Sequence, residues 1–503
     1  MISLAELSQK LWGSRFASVG LGLVLALAHV PFSIFPLMFV AIPIVGQMFL
    51  YCPKPRQAFG MGWFVGFGYF ALNLHWIVEP FLVEPEIFGW LAPFALFLMA
   101  AGAALFWAVP FGLAKRFGRD HVSQIILLAC LWTVSEYLRS FIFTGFPWSL
   151  LAYVWIDTPL AQIFAFVGVH GAGLITLLIL FIPVMMTRKM LAAAFATALI
   201  GIIAILGWLR MPDHAPNHAS DTIVRMVQPN AEQHMKWRPD MIEVFFDRGV
   251  SYTSARTSRR PDVVIWPETS LPFLLGHDHQ ALQVVADAAG DASVIAGIRR
   301  VDDNGGYNSL VYLDPRGGVT AVYDKHHLVP FGEYLPFDAL FSKIGLSAIA
   351  DNIGGFSAGT GPRVINGNNV PDFLPLICYE AIFPYSTHTN TRPEWMVHIT
   401  NDAWFGTFSG PYQHLAQTKA RAIETGLPIA RAANTGVSGM IDPYGRMVKS
   451  LELGQSGYVD VALPASIGKT VYAYVGEWLW LCFAGLLALC CLLPATRTQS
   501  SAR

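Results

Sequence analysis

Cys378 ends the apolar run Phe373-Leu-Pro-Leu-Ile-Cys-Tyr-Glu380 and is the only cysteine between residues 131 and 481. That stretch is mostly polar, as in a folded soluble domain. The other cysteines, Cys52, Cys130, Cys482, Cys490 and Cys491, lie in or beside strongly apolar stretches. A thiol with no cysteine partner in its own domain cannot enter an intradomain disulfide, so it is either a buried small hydrophobe or a nucleophile. Two further segments favour the nucleophile: Ile265-Trp-Pro-Glu268 and Tyr323-Asp-Lys325. A thiol at its ordinary pKa is mostly protonated near neutral pH and needs a base and a cation to react as thiolate. Glu268 can take the proton. Lys325 can stabilise both the thiolate and the oxyanion that forms when it attacks a carbonyl.

From Asp221 short β-branched runs alternate with polar helical stretches, the texture of an α/β domain. The pattern predicts strands at Thr222–Gln228, Val263–Trp266, Val294–Ile298, Ser309–Asp314, Val319–Asp324, Leu374–Cys378, Met396–Thr400, Ile429–Ala433 and Tyr458–Val461. Helices are expected at 239–256, 278–289 and 412–425. Asp314-Pro-Arg-Gly-Gly318 and Asp442-Pro-Tyr-Gly445 are turn sequences, each placed to join two apolar runs as a hairpin. About 250 residues suffice to bury a core. Glu268, Lys325 and Cys378 all fall where a strand runs out, where a rigid element aims a side chain and a loop leaves it accessible.

At these residues the chain resembles the nitrilase (carbon–nitrogen hydrolase) superfamily. Trp266-Pro-Glu268, Lys325 with His326-His-Leu-Val-Pro-Phe-Gly-Glu333, and Cys378-Tyr-Glu380 match its three motifs in order. Asn401-Asp-Ala-Trp-Phe405 and Arg431-Ala-Ala-Asn-Thr-Gly436 match further family segments, and the likeness covers residues 222–465. The resemblance implies a Glu-Lys-Cys triad on a four-layer α-β-β-α sandwich. It also implies that Glu333 orients Lys325 or shares the base work, the alternative being an exposed surface carboxylate. Tyr379 and Glu380 are expected to shape the nucleophile turn rather than carry a proton. His326 and His327 invite a metal reading, but no second cluster has ligand spacing around them, so no metal is expected.

Ahead of this domain the composition is that of a membrane protein, with 54% hydrophobic and 13% charged residues over the whole chain. Apolar stretches near or above the roughly 20 residues needed to cross a bilayer predict about eight spans. They lie near 13–30, 32–51, 58–78, 88–113, 122–138, 160–186, 191–209 and 471–493. The first is read as an uncleaved helix rather than a signal peptide, because further spans follow closely. Basic residues fall in alternate connections: Lys10 and Arg15, Lys54 and Arg56, Lys115, Arg116 and Arg119, Arg188 and Lys189, Arg497 and Arg503. The connection Glu79-Pro-Phe-Leu-Val-Glu-Pro-Glu86 has none. By the positive-inside rule both ends are cytoplasmic and residues 211–469 lie outside, the periplasm if this is a bacterial inner membrane. The domain reading is therefore a seven-span membrane domain at 1–210, a catalytic domain at 211–469, and an eighth span with a cytoplasmic tail at 470–503. A formal charge of −1 argues against nucleic acid as a partner. Glu136 and Arg139 read as an ion pair on a helix surface at the membrane interface. His75 and His170 read as polar contacts between spans.

Spans on both sides of a nitrilase-like domain make the chain similar to the apolipoprotein N-acyltransferase family. Lys236-Trp237, Glu136-Tyr-Leu-Arg139 and Thr144-Gly-Phe-Pro-Trp148 agree with it. The resemblance implies transfer of an acyl chain from a phospholipid to the N-terminal amine of a diacylglyceryl-cysteine apolipoprotein, through a thioester on Cys378. No cofactor is required, because the thioester stores the acyl group. Trp237 is expected to support the site. The stretch from Ile344 to Gly355 is either a lid dipping toward the membrane or an ordinary packed loop. Phe146, Trp148, Trp404 and Phe405 either line an acyl passage or anchor at the interface. A membrane-tethered amidase with the same triad is the nearest alternative; a transporter is disfavoured because the spans lack ionisable residues away from their ends. A reporter fused after Arg503 is predicted to be active only in the cytoplasm and one inserted near Asn217 only outside. Activity of both on one side would overturn this topology.

Overall fold

The computed structural model describes residues 13–216, 221–277, 279–336 and 355–493. The stretch expected as a lid lies, except for Gly355, outside the described residues. Contacts divide the chain into two units. Trp76–Pro93 together with Leu209–Tyr474 forms one; the residues up to His75, Phe94–Trp208 and those from Val475 onward form the other. Residues 76–93, placed by the sequence within the membrane domain, thus pack with the catalytic unit: the Trp76 ring meets Phe405 edge-on at 4.9 Å.

The first unit is helical. Along the chain as a whole, four helices among the described residues are long and apolar enough to cross a bilayer: Pro85–Phe117, His121–Arg139, Pro159–Met185 and Lys189–Arg210. The bent pair Pro55–Asn73 and His75–Leu82 makes a fifth if counted as one span. Arg15–Ala26, Phe35–Tyr51 and Trp478–Leu492 occupy the remaining expected positions but are shorter. At 1.5 Å per residue the first of these reaches only about 18 Å against a hydrocarbon core of about 30 Å. A turn with Pro31 separates it from the next helix, whose first turn carries Pro36. Among the described residues the structure therefore carries four or five spans by length and composition, where the hydropathy pattern alone suggests eight.

The Glu136–Arg139 pair is not on a helix surface. Both residues are buried, with the charged groups 3.8 Å apart. Arg139 donates to the backbone carbonyls of Phe146 and Trp148, the latter at 2.8 Å. Glu136 accepts from the Trp107 indole at 3.2 Å and the Leu151 amide at 3.4 Å. The pair staples the 146–151 segment onto helix His121–Arg139. Trp148 is fully buried there and stacks on Phe146. His170 bridges Ser140 at 3.2 Å and Glu477 at 3.0 Å, a contact between helical elements as expected, and His75 Nδ1 meets the Leu72 carbonyl of the preceding turn at 2.7 Å.

In the second unit the sheets follow from alternation. β1 (Ile223–Gln228), β2 (Val263–Ile265), β3 (Ser293–Asp302), β4 (Gly305–Leu313), β5 (Val319–Asp324) and β11 (Gly457–Ala462) form a sheet in the order β11-β1-β2-β3-β4-β5. β6 (Phe373–Ile377), β7 (Trp395–Thr400), β8 (Ile429–Ala433), β9 (Ser438–Ile441) and β10 (Met447–Leu451) form the second, in the order β10-β9-β8-β7-β6. Val224, Met226, Val263 and Ile265 point inward against Phe373, Ile377, Val397 and Ile399 of the other sheet. The intervening Val227, Val264 and Trp266 face outward, against helices Pro239–Ser254 and His279–Ala289. Leu374, Leu376 and Met396 cover helix Gly410–Thr425 on the far side. Burial on both faces explains why these strands read as nearly continuous apolar runs. The result is the expected α-β-β-α layering.

Arg139→Met leaves Glu136 buried without its cation and two carbonyls without their donor, a loss of about 3–5 kcal/mol. Thermal unfolding in detergent is expected to drop clearly for this variant, and part of the loss should return when Glu136→Gln is added. An unchanged midpoint for the single variant would contradict the staple.

Candidate active site

Glu268 follows β2, Lys325 follows β5 and Cys378 follows β6, so each sits at the carboxyl end of a strand. The first two belong to one sheet and the third to the other. The turns that carry them are conformationally strained: Thr269 (φ +43°), Phe331 (φ +62°) and Cys378 itself (φ +49°) are left-handed without being glycine. Such strain persists where the surrounding structure over-determines it. Behind Glu268 the space is tight enough to require Gly297, since a Cβ there would stand 2.4 Å from the Thr269 amide nitrogen.

Lys325 is buried, with its Nζ 3.3 Å from Glu268 Oε1 and 2.9 Å from Glu333 Oε1. Asn308, on β4, donates its side-chain amide to both carboxylates, at 2.7 and 2.9 Å. The second oxygens are occupied too: Glu268 Oε2 accepts from the Asn401 amide at 2.9 Å and Glu333 Oε2 from the Val329 amide at 2.8 Å. Glu333 is thus buried and paired to Lys325, which removes the alternative of an exposed surface carboxylate. Lys236 donates to the Glu268 carbonyl at 3.2 Å and to Thr269 Oγ1 at 3.0 Å, holding the strained turn from beneath. Burial lowers its pKa to about 8. Trp237 beside it is exposed, its ring face 4.6 Å from the Arg299 guanidinium.

Burial works against charge on every member of this cluster, and pairing decides the outcome. Desolvation raises the Glu268 pKa, but Lys325, Asn308 and Lys236 outweigh it and hold the carboxyl below its usual range. Desolvation lowers the Lys325 pKa, yet Glu333 and Glu268 together hold it above the ordinary value. For Cys378 burial wins: it and the Glu268 charge push the thiol well above its usual range, against the smaller opposing effect of Lys325. The resting site therefore holds a carboxylate, an ammonium and a protonated thiol.

Glu380 is fully buried and acts as a brace. One oxygen accepts from the His326 amide at 2.7 Å, the other from the Ile377 amide at 2.7 Å, and the Tyr323 hydroxyl reaches both. It ties the turn carrying Cys378 to the turn carrying Lys325. Tyr379 is buried against Phe383 and His327. His327 also meets the Tyr385 hydroxyl at 3.0 Å, and His326 pairs with Glu380. The sequence reading passed over Asn308 and Thr400, the latter bonded to the Cys378 sulfur. It also passed over His398 and His414, which meet the Cys378 carbonyl. Asp402 and Arg431 stood only inside matching segments, yet they form a buried ion pair. Polar residues inside otherwise apolar strands were the available signal.

Residues 21–182 match the family model for the apolipoprotein N-acyltransferase N-terminal domain, and residues 224–472 match that for carbon-nitrogen hydrolase. A Rhodopseudomonas palustris protein named apolipoprotein N-acyltransferase is 37% identical over 518 residues, spanning 97% of this chain and 96% of its own. One of the same name from Bradyrhizobium diazoefficiens is 37% identical over 526 residues, spanning 99% and 97%. A third, from Brucella melitensis, is 37% identical over 484 residues and spans 90% of each chain. With both parts of the chain matched in order and the relatives aligned over nearly all of their length, this chain belongs to the apolipoprotein N-acyltransferase family.

Proposed function

We propose that this enzyme N-acylates lipoproteins by a two-step transfer through Cys378. The acyl donor is a phospholipid and the acceptor is the N-terminal amine of a diacylglyceryl-cysteine apolipoprotein. The observation that carries the chemistry is the buried pairing of Lys325 with Glu268 and Glu333, in which Glu268 and Lys325 act electrostatically on the Cys378 thiol.

With the Glu268 carboxyl held below its usual range and the Cys378 thiol above its own, prior proton transfer from thiol to carboxylate is disfavoured. Proton transfer to Glu268 then accompanies formation of the carbon–sulfur bond, as general base catalysis allows. As sulfur attacks the ester carbonyl, the oxyanion develops beside the Lys325 ammonium. Collapse breaks the ester carbon–oxygen bond, and Glu268 returns the proton to the departing lysophospholipid alkoxide. The lipoprotein amine then attacks the thioester carbonyl, Glu268 takes a proton from the attacking nitrogen, the carbon–sulfur bond breaks, and the departing thiolate receives that proton from Glu268. Glu333 keeps Lys325 in place, Glu380 and Tyr379 shape the nucleophile turn, and Trp237 borders the site. No cofactor enters these steps. The placement proposed is a bacterial inner membrane, crossed about eight times if the three shorter apolar helices are counted with the four or five long ones, with both ends cytoplasmic and the catalytic unit periplasmic.

Mass spectrometry of each variant incubated with phospholipid alone tests the roles. Cys378→Ser is expected to form no stable thioester, while Cys130→Ala forms it normally. Glu268→Gln and Lys325→Met should fail at this first half-reaction, the lysine variant by about 10²–10³ in rate. Glu333→Ala should be impaired only partly. Normal adduct formation by Glu268→Gln would contradict its role as first-step base. Free fatty acid as the sole product in the presence of lipopeptide would favour hydrolysis over transfer.

A further inference from the structure

The Cys378 carbonyl points into a fully buried polar floor rather than toward the acidic–basic cluster. Two imidazole nitrogens meet it, His398 Nε2 at 3.1 Å and His414 Nε2 at 3.2 Å. Neither histidine enters the chemistry above, and burying two imidazoles beneath one peptide is costly unless their hydrogen bonds are specified.

The surrounding groups specify them. His398 lies on β7 directly opposite Arg431 on β8. Arg431 Nη1 stands 2.8 Å from His398 Nδ1. A guanidinium only donates, so Nδ1 accepts and the ring proton sits on Nε2, aimed at the Cys378 carbonyl. Burial, followed by the Arg431 charge, pushes the His398 pKa down, and the ring stays neutral in that tautomer. Arg431 is itself fixed by Asp402 and by the Val437 carbonyl at 3.2 Å. Thr418 completes the set: its hydroxyl donates to the His414 carbonyl at 3.0 Å and accepts from Arg431 at 3.2 Å. His414 Nδ1 faces Asp402 Oδ1 at 2.9 Å and, more distantly, Arg431 Nη2 at 3.5 Å, while its Nε2 faces the Cys378 carbonyl. Burial lowers its pKa as well, but with an acceptor at each nitrogen its neighbours do not select one tautomer. His398 is then the imidazole whose N–H toward the carbonyl is fixed by its other neighbour.

We propose that His398 is a positioning residue for Cys378: its Nε2–H, set by Arg431, anchors the left-handed nucleophile turn and so fixes the direction from which the sulfur attacks. A non-glycine residue at φ +49° stores strain of about 1–3 kcal/mol, which the turn can release by rotating unless something holds its peptide. Misplacing a nucleophile by about 1 Å costs about 10² in rate without any loss of substrate binding.

The inference rests on Cys378 being the nucleophile, and the test separates the two ideas. His398→Leu, His398→Gln and His398→Asn are compared with wild type for acyl adduct formation from phospholipid and for alkylation of Cys378 by iodoacetamide. Wild type without adduct sinks the nucleophile reading itself. Given a wild-type adduct, His398→Leu should acylate roughly 10²-fold more slowly at saturating phospholipid with an unchanged half-saturation concentration. Its alkylation, which tolerates many approach directions, should change by no more than about threefold. His398→Gln, which keeps an N–H at the ε position, should recover most of the acylation rate. His398→Asn, whose donor falls short, should not. If the leucine variant fails to fold, the glutamine–asparagine pair still decides. Acylation at the wild-type rate in the leucine or asparagine variant, or equal loss in glutamine and asparagine variants, overturns the proposal.

Discussion

A lysine ammonium buried between two carboxylates is the constraint on which the catalytic unit depends. Lys325 with Glu268 and Glu333 would carry one net negative charge out of water, a state too costly to hold without further partners. Lys236 supplies the balancing charge near Glu268, and Asn308 fills lone pairs on both acids. Every carboxylate oxygen in the cluster has a named donor. That degree of satisfaction is what allows charges to persist where Cys378, with weaker support, stays protonated. The same environment that costs stability makes a developing oxyanion worth stabilising, since low dielectric strengthens its attraction to the ammonium.

The sandwich makes this cluster possible by bringing two sheets together at the ends of their strands. Glu268 and Lys325 come from strands separated by β3 and β4, and Asn308 on β4 spans the gap. Cys378 comes from the facing sheet, and Glu380 laces its turn to the lysine turn through backbone amides. Beneath it, Arg431 and His398 stand as neighbours on adjacent parallel strands and turn a row of core positions into a polar floor. Polar groups in a core of this kind are tolerable only when each is paired, and their pairing leaves the nucleophile turn a single arrangement.

Much of this was legible in the residues. Short β-branched and apolar runs set between polar stretches located β5 and β8 to the residue, and most other strands to within one or two at each end. The triad stood out because a lone thiol, a base and a cation each followed such a run. β3 and β4 extend well beyond their apolar segments, because Arg299, Arg300 and Asn308 continue the ladder with polar side chains. β9 and β10 were visible only as the flanks of the Asp442–Gly445 turn. Pairing across sequence was not legible at all. Nothing local to Asn308 announces that it touches two acids, and nothing in the spacing of Glu136 and Arg139 says whether they face lipid or the 146–151 segment. Hydropathy windows likewise register apolar length but not the turn that ends helix Arg15–Ala26.

The central claim is that one thiol carries the acyl chain between two substrates. Its most direct test follows a labelled acyl group through the unaltered protein: incubation with acyl-labelled phospholipid, removal of excess lipid, peptide mapping, then addition of a diacylglyceryl lipopeptide. The account predicts label in a hydroxylamine-sensitive thioester on Cys378 alone, discharged in full onto the lipopeptide amine with no further phospholipid present. Label that reaches the lipopeptide only while phospholipid remains, with Cys378 never modified, would contradict it.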